Sequence, residues 1–362
     1  MSTEQLNQVV SHFSLKGSVD TISALGSGLI NDTFKVTTQQ NDSPDYVLQR
    51  INHNVFRNVD LLQSNIEAVT RHIRRKLEAQ GETDIDRKVL HFVQAYNGKT
   101  YLKDEAGNYW RMMVFIPDAL TFEAVTPEYS YHAGKSFAHF ETMLVDLPEQ
   151  LGETIPDFHN MELRNQQFQD AIAADAKGRM SEVKELVNEL QKHAHEMCKA
   201  ERMFREGTLP KRICHCDTKV NNMLFDRQGH VLCVIDLDTV MPSFVFSDYG
   251  DFLRTGANTV AEDDPHLDKV AFKMDIFTAF TRGYIEGSRN FLTPIERNNL
   301  PYAAALFPYM QCVRFLTDYL NGDVYYRIQY PEHNLVRAKN QLCLFNDVLR
   351  HTEEMQAFIQ TL

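Results

Sequence analysis

The sequence predicts an α+β chain of two lobes, a small antiparallel sheet with one helix followed by a larger and mainly helical part. Three observations carry this reading. Short apolar runs punctuated by Gly and Asn fill the first third, apolar residues at spacings of three and four dominate later, and Pro117 stands where the pattern changes. The boundary is accordingly placed at Pro117, with a first lobe over 1–117 and a second over 118–362. At 362 residues and 43% hydrophobic content, the chain is long enough to bury a core in each.

From Thr21 to Asn52 the runs TISALGSG, NDTFKVTT and YVLQRIN read as three strands joined by turns. Val59, Leu62, Ile66, Val69, Ile73 and Leu77 then recur at helical spacing, and Gly81 ends the run. KVLHFVQA, TYLK and YWRMMVFI, separated by the turns NGK and AGN, read as two further hairpins. In the second lobe Thr126, Pro127 and Glu128 start a helix over YSYHAGKSFAHFETML. Val183, Leu186, Val187, Leu190, Ala194 and Met197 share one face of a helix from about Ser181 to Phe204. Later helices are expected over FKMDIFTAFTRGYI, over PYAAALFPYMQCVRFLTDYL and from about Asn334 to Leu362.

The balance of 49 acidic against 37 basic residues, a formal charge of −12, argues against nucleic acid or an anionic membrane surface as partner and favours a small molecule. The start MSTEQLNQVVSHF lacks a signal-type apolar run, and VLCVI and AAALF are too short to cross a bilayer, so a cytoplasmic location is expected. Six cysteines without C-x-x-C pairs suit reduced, buried thiols. Cys214 and Cys216 flank His215 as in a metal site, but no second cluster at ligand spacing accompanies them, so core cysteines on a strand are preferred.

The chemistry concentrates in KRICHCDTKVNNMLFDRQGHVLCVIDLD, which parses as a short strand, a polar loop, a strand NMLF, a turn around Gly229 and a strand VLCVID. If that last strand persists, Asp236 and Asp238 point the same way. Two adjacent carboxylates repel unless a cation joins them, and hard oxygens of this kind, with the amide of Asn222 nearby, suit Mg²⁺ held together with substrate phosphates. The plain alternative is a hairpin whose Asp and Asn residues only serve turns. Phosphoryl transfer is the stronger reading.

His215, Asp217, Lys219 and Asn222 resemble the H-x-D-x-K-x-x-N catalytic loop of protein kinases, and the loop followed by I-D resembles the aminoglycoside phosphotransferase and choline kinase superfamily. The resemblance implies a bilobal protein kinase-like fold that uses ATP and Mg²⁺. It implies Asp217 as the base that receives or orients the acceptor hydroxyl, Lys219 at the transferring phosphate, and Asn222 with Asp236 on the metal. Asp238 either completes the metal shell or caps the turn, and His215 is a scaffold residue.

The first lobe supplies nucleotide-binding candidates. Gly26, Ser27 and Gly28 of LGSG are placed for close backbone approach to phosphates, an ordinary hairpin turn being the alternative. The kinase plan expects a cation on the third strand, where Lys is absent and Arg50 stands nearest. Glu67 on the following helix is the candidate partner of Arg50, or else part of a solvated face. RMMVFIP implies an adenine hinge at Phe115 and Ile116, which serve equally well as core strand residues.

GLINDTF, YVLQRIN, IPDFHN, HCDTKVNN, VIDLDTVMP and FPYMQCVRFLTDYLNGDVYY together resemble the N-acetylhexosamine 1-kinase branch, over nearly the whole chain. That branch phosphorylates the anomeric hydroxyl of N-acetylglucosamine or N-acetylgalactosamine, and its acceptor pocket implies Asn31, Thr239, Arg314 and Tyr325 here. Position 31 in that pattern can be His, so Asn31 departs from it. Arg314 lies among apolar neighbours and needs a partner, which a sugar pocket or a carboxylate such as Asp318 would supply. Tyr325 and Tyr326 can also simply pack on the last helix, and His159 reads as part of a surface loop.

Three rivals compete. Homoserine, choline or an aminoglycoside could be the acceptor, a cationic one needing a carboxylate or aromatic cage for which Asp251, Glu262, Asp263 and Asp264 are candidates. Cys198-Lys-Ala-Glu-Arg202 resembles the C-x-[P/A]-x-R pattern of sulfatases. A non-catalytic pseudokinase is disfavoured by the presence of Asp217, Asn222 and Asp236 together.

Overall fold

The computed structural model of the protein describes residues 2–26, 30–122, 125–288 and 291–362. It divides into two compact units, the first comprising Met1–Leu120, Asp146–Pro156 and Leu224–Met241, the second Thr121–Val145, Asp157–Met223 and Pro242–Leu362. A single cut at Pro117 therefore does not describe the division. Leu120 forms an antiparallel bridge with Phe225, and this contact ties the segment carrying Asp236 and Asp238 to the first unit.

The first unit opens with a helix that the sequence pattern did not single out, α1 (Thr3–Val10), closed by a capping box between Ser2 and Gln5. Its sheet contains β1 (Val19–Ala24), β2 (Asp32–Thr38), β3 (Tyr46–Ile51), then after helix α2 (Val59–Ala79) the strands β4 (Tyr101–Lys103) and β5 (Tyr109–Val114). The spatial order is β1-β2-β3-β5-β4, antiparallel throughout. Leu6, Val9, Val10 and Phe13 pack with Val36, Tyr46, Leu48, Trp110 and Met112, which makes one face of the sheet a core. The expected strand KVLHFVQA makes only isolated bridges, Phe92 with Met113 and Ala95 with Phe13.

The second unit is mainly helical: α3 (Pro127–Met143), α4 (Met161–Ala174), α5 (Lys184–Met197) and α6 (Lys199–Arg205) precede the short strand β6 (Arg212–Cys214). In chain order the hairpin of β7 (Met223–Phe225) and β8 (Val231–Val234), which belongs to the first unit, comes next, and β9 (Met241–Ser243) then pairs with β6. Helices α7 (Val245–Gly256), α8 (Met274–Ser288), α9 (Pro294–Asn298), α10 (Leu300–Asn321), α11 (His333–Arg350) and α12 (Thr352–Gln360) complete it. Among the described residues no helix is long and apolar enough to cross a membrane.

The helix expected from Ser181 to Phe204 is broken at Cys198. The Tyr302 hydroxyl enters the break, donating to the Met197 carbonyl at 2.7 Å and accepting from the Ala200 amide at 3.3 Å. An inserted side chain that satisfies both freed backbone groups is a sufficient cause for the kink. Elsewhere α3 and α8 approach so closely that a Cβ at Gly283 would lie 2.0 Å from the Tyr131 carbonyl oxygen, and one at Gly134 would lie 2.2 Å from that of Phe280. This contact fixes the first half of α3 against α8, and farther along the Tyr284 hydroxyl of α8 reaches Glu141.

Candidate active site

In the second unit the chain leaves β6 into residues 215–219 and closes with a 3-10 turn at Val220–Asn222. The loop needs a left-handed residue, Cys216 at φ +62. Asp217, Lys219 and Asn222 come together as the motif implied: Lys219 Nζ lies 2.8 Å from Asp217 Oδ1, and Asn222 Nδ2 donates to Asp217 Oδ2 at 3.1 Å and to its carbonyl at 2.8 Å. Burial opposes ionisation of Asp217, but the Lys219 charge and hydrogen bond, with His215 and Asn222, outweigh it and hold the carboxyl below its usual range. His215 is fully buried and edge-on to Phe137 and Phe140, as a scaffold residue should be.

Behind this loop lies a brace that the motif did not reveal. Asp248 of α7, fully buried, accepts the His215 amide on Oδ2 and the Cys216 amide on Oδ1, both at 2.7 Å. Its carbonyl accepts the Thr218 hydroxyl at 2.6 Å, and Asp251 accepts the Thr218 amide at 3.2 Å. Asp251 also pairs with Arg254 at 3.3 Å, and Arg254 reaches Glu262 at 2.6 Å. The available signal was VFSDYGDFL, two carboxylates inside an otherwise apolar helical run that must find buried donors.

The first unit corrects several expectations. The strand before Asp236 does not persist: β8 ends at Val234, Asp236 takes a left-handed conformation at φ +58, and a 3-10 turn carries Leu237–Thr239. Asp236 is therefore exposed while Asp238 is buried, and the two do not share a face. Asp238 Oδ1 meets Arg111 Nη1 in an ion pair at 2.5 Å, outside hydrogen-bond angle, and Oδ2 accepts Asn31 Nδ2 at 2.7 Å. Asn31 Oδ1 in turn accepts the Asn52 amide at 2.9 Å. Asp238 thus belongs to a buried ion pair instead of an open metal position, and Asn31 serves that pair instead of presenting its amide to an acceptor. Thr239 is buried beside it in sequence, and Thr154 donates to the Asp238 carbonyl at 2.8 Å.

Arg50 and Glu67 also part company. Asp32, Arg50 and Trp110 are cross-strand partners on the face of the sheet packed under α1, and Arg50 pairs with Asp32. Gln49 and Arg111 are partners on the other face, where Arg111 donates to Gln49 at 3.0 Å and to Gln63 of α2 at 3.3 Å. Glu67, also on α2, takes the Thr100 hydroxyl. One position of strand parity separates the two arginines, so the cation that faces α2 is Arg111.

The remaining first-unit candidates are mixed. Ser27 and Gly28 lie outside the described residues. Gly26 is exposed at φ +71, with nothing near the place a Cβ would take. Ile116 is a core residue, and the Phe115 ring carries the Lys35 ammonium 4.2 Å from its centroid.

Toward the other end of the second unit, Arg314 of α10 stands 6.0 Å from the Tyr325 ring, 5.6 Å from that of Tyr326 and 5.7 Å from that of Phe158. Its hydrogen bond is to Gln311 at 3.2 Å. Asp318 is not its partner: that carboxylate accepts the amides of Val324, Tyr325 and Tyr326 at 2.8 to 2.9 Å and the Asn334 side chain at 2.9 Å. No ion pair of Arg314 is present among the described residues. His159 sits half-buried in its loop, where it stacks on Phe158, meets Phe307 edge-on and contacts Ser247 Oγ at 3.1 Å. Burial first, then Arg314, Arg164 and Arg254, push its pKa well below the ordinary histidine value. Cys198 is buried at the helix break, and burial pushes its thiol up to about 12, which is the wrong environment for a reactive sulfatase-type cysteine.

A five-stranded antiparallel sheet beside one long helix, and a helical unit bearing an H-x-D-x-K-x-x-N loop held from behind by a buried aspartate, define a kinase-like fold. The chain belongs to the phosphotransferase enzyme family, whose model matches residues 21–281. It is similar in structure to an aminoglycoside phosphotransferase from Alicyclobacillus acidocaldarius, with a TM-score of 0.65 at 13% identity over 98% of this chain and 96% of that one. An amicoumacin kinase in complex with AMP-PNP, Ca²⁺ and amicoumacin matches with a TM-score of 0.63 at 12% identity over 100% and 98%. A Plasmodium vivax ethanolamine kinase matches at 0.51 and 13% identity over 89% and 82%. At these identities the likeness speaks for the fold; the family is what makes the chain a phosphotransferase.

Proposed function

We propose that the protein transfers the γ-phosphate of ATP to a sugar hydroxyl, the anomeric hydroxyl of N-acetylglucosamine or N-acetylgalactosamine, as a cytoplasmic enzyme. The observation that carries the phosphotransfer step is Asp217, joined to Lys219 and Asn222 and set on a loop whose backbone is fixed by Asp248. The acceptor oxygen attacks the γ-phosphorus, the bond to the β–γ bridging oxygen breaks, ADP leaves, and the hydroxyl proton passes to Asp217. A carboxylate held at low pKa is a weak base, so Asp217 chiefly orients the hydroxyl and takes the proton late, as a loose phosphoryl transition state allows. Lys219 offsets charge on the transferring group.

Each of the two proposed donors is of a type that suits a hard cation. Both hydrogen bonds of Asn222 use Nδ2, which leaves its amide oxygen as a ligand, and Asp236 offers an exposed carboxylate. These two are the proposed Mg²⁺ ligands, and the metal would neutralise phosphate charge. Arg50, Gly26 and the stretch around Phe115 remain the proposed nucleotide contacts of the first unit, with Glu67 held back by Thr100 and Ile116 by the core.

For the acceptor, Arg314 without a carboxylate partner and with Tyr325, Tyr326 and Phe158 around it offers directed donors beside aromatic surface, the combination an amphipathic sugar needs. The carboxylate cage that a cationic acceptor requires has no support: Asp251 and Glu262 are spent on Arg254, Asp263 lies 3.4 Å from His333, and Asp264 pairs with His266. The test is ADP release across a panel of the two hexosamines, homoserine, choline and an aminoglycoside, with Asp217→Asn as control. Turnover on the hexosamines that falls at least about 100-fold in the variant, with nucleotide binding retained, is the expected result. Turnover on choline or an aminoglycoside with none on either hexosamine would sink the sugar reading.

A further inference from the structure

The mechanism above leaves several buried acids unused, and one of them stands beside the catalytic loop. Glu141, near the end of α3, is 1% exposed and lies at the floor of the catalytic loop. Its Oε2 accepts the Tyr284 hydroxyl of α8 at 2.5 Å. Its Oε1, fully buried, has no hydrogen-bond donor among the described residues. Acid groups of Glu141, Cys214 and Asp248 lie with ligand atoms within 4.8 Å of one another. The cluster is a poor metal site, because each Asp248 oxygen already takes a loop amide.

Two ionised carboxylates side by side in this interior would repel, and an acceptor atom would be left with nothing to accept. A proton on Glu141 Oε1 resolves both problems at once: the orphaned acceptor becomes a donor toward Asp248, whose negative charge is already answered by two backbone amides. We propose that Glu141 is a positioning residue, carrying the single proton of an acid–carboxylate pair with Asp248 and so fixing the backbone of residues 215–218 through it. The pair does not take part in proton transfer to substrate; it keeps Asp248 singly charged and correctly turned while Asp217 works.

The groups facing the pair agree. Burial raises the pKa of Glu141 well above the ordinary value, and the Asp248 charge adds to this. Tyr284 from α8, Cys214 from β6 and Cys216 beyond it are themselves held neutral by burial. Burial raises the Asp248 pKa as well, while His215, the two loop amides and Glu141 itself favour the charge there; Arg212, two residues before Cys214 on β6, is committed to Glu296 at 3.0 Å.

The sign of the linkage follows. A folded pKa above the unfolded one gives stability that is complete below the unfolded value and is lost as pH rises toward the folded value. In that window one proton is released on unfolding, so the folding constant should fall about tenfold per pH unit from this group alone.

Four readouts on the whole chain test the proposal, three of which need no acceptor. Glu141→Gln supplies an amide donor in place of the acid, and it should keep kcat within about threefold while removing that share of the alkaline loss of stability. Glu141→Leu, with no donor, should lower kcat roughly ten- to hundredfold at unchanged nucleotide KM. Infrared spectra of the parent at neutral pH should show a protonated carboxyl stretch that disappears in Glu141→Gln. The proposal is overturned if the parent lacks that band, if the Gln variant loses as much kcat as the Leu variant, if the pH slope is the same in parent and Gln variant, or if elemental analysis recovers a tightly bound metal that Glu141→Gln abolishes.

Discussion

Two charged groups, one in each unit, are held in opposite ways. In the first, Arg111 and Asp238 meet in an ion pair only 2 to 3% exposed on either side, reached by Asn31 from 207 positions away. In the second, Asp217, Lys219 and Asn222 gather within a few residues of one another and stay partly open, the two ion-pair side chains being 24% and 40% exposed. The first arrangement is closed by long-range folding and has little left to offer a ligand. The second is closed on its protein side by Asp248 and left available where chemistry would occur. A charge among apolar residues is thus an ambiguous sign, and what separates the two pairs is whether the fold seals them from solvent.

The strongest way to break this contrast is to remove one half of the closed pair. Arg111→Met leaves Asp238 buried without its cation, which should cost about 3–5 kcal/mol of stability, read from denaturant midpoints at constant m. Arg111→Met combined with Asp238→Asn should regain a large part of that loss, because an uncharged amide needs no counter-ion. If the single variant unfolds at the parent's midpoint, the pair is not the closed structural element described here.

That pair also marks how far the sequence could be read. The catalytic loop was legible because its geometry is local: residues 217, 219 and 222 are brought together by one loop and one turn. Asp248 was not, because its contact with the loop spans 32 to 33 positions and its helix looks like any apolar helix with a polar interruption. Arg111 in YWRMMV carries the same signal as Arg314 in CVRFL, a cation inside an apolar run, yet only the latter drew attention. The misplaced pairing of Arg50 with Glu67 came from strand parity, since a shift of one residue exchanges the two faces of a sheet and no local pattern reports which face an amphipathic helix will cover. The sheet, its long helix and the helical second unit were readable from period alone; α1 and the break at Cys198 were not, because they depend on Trp110 and Tyr302 from elsewhere in the chain.

A smaller effect sharpens the contrast from the open side. Arg314→Met removes a guanidinium that has an amide but no carboxylate partner, so it should leave folding nearly unchanged while raising the acceptor KM about tenfold through loss of one or two directed hydrogen bonds. The same substitution should raise the pKa of His159, since Arg314 is the first of the three cations that add to burial in depressing it. The sign is fixed: a depressed folded pKa gives stability that is present above the unfolded value and lost as pH falls through it, and the variant should lose less over that acid range. A proton-NMR titration of His159 that shows no upward movement would place Arg314 farther from the ring than its contacts imply.

The smallest expected effect is on Arg50, and it separates a surface pair from a nucleotide contact. Its partner Asp32 lies directly across the β2–β3 ladder, and the two side chains are 38% and 51% exposed. Pairs so well hydrated are worth about 0–1 kcal/mol, far below the cost expected at Arg111. Arg50→Met should therefore leave the denaturant midpoint almost where it was. If Arg50 also meets phosphates, the variant should instead raise the ATP KM about tenfold, and that rise should shrink with added salt in the parent-to-variant comparison because an exposed guanidinium is screened. A variant with unchanged midpoint and unchanged ATP KM would leave Arg50 as a cross-strand pair alone, and the nucleotide cation of the first unit would have to be sought on another strand.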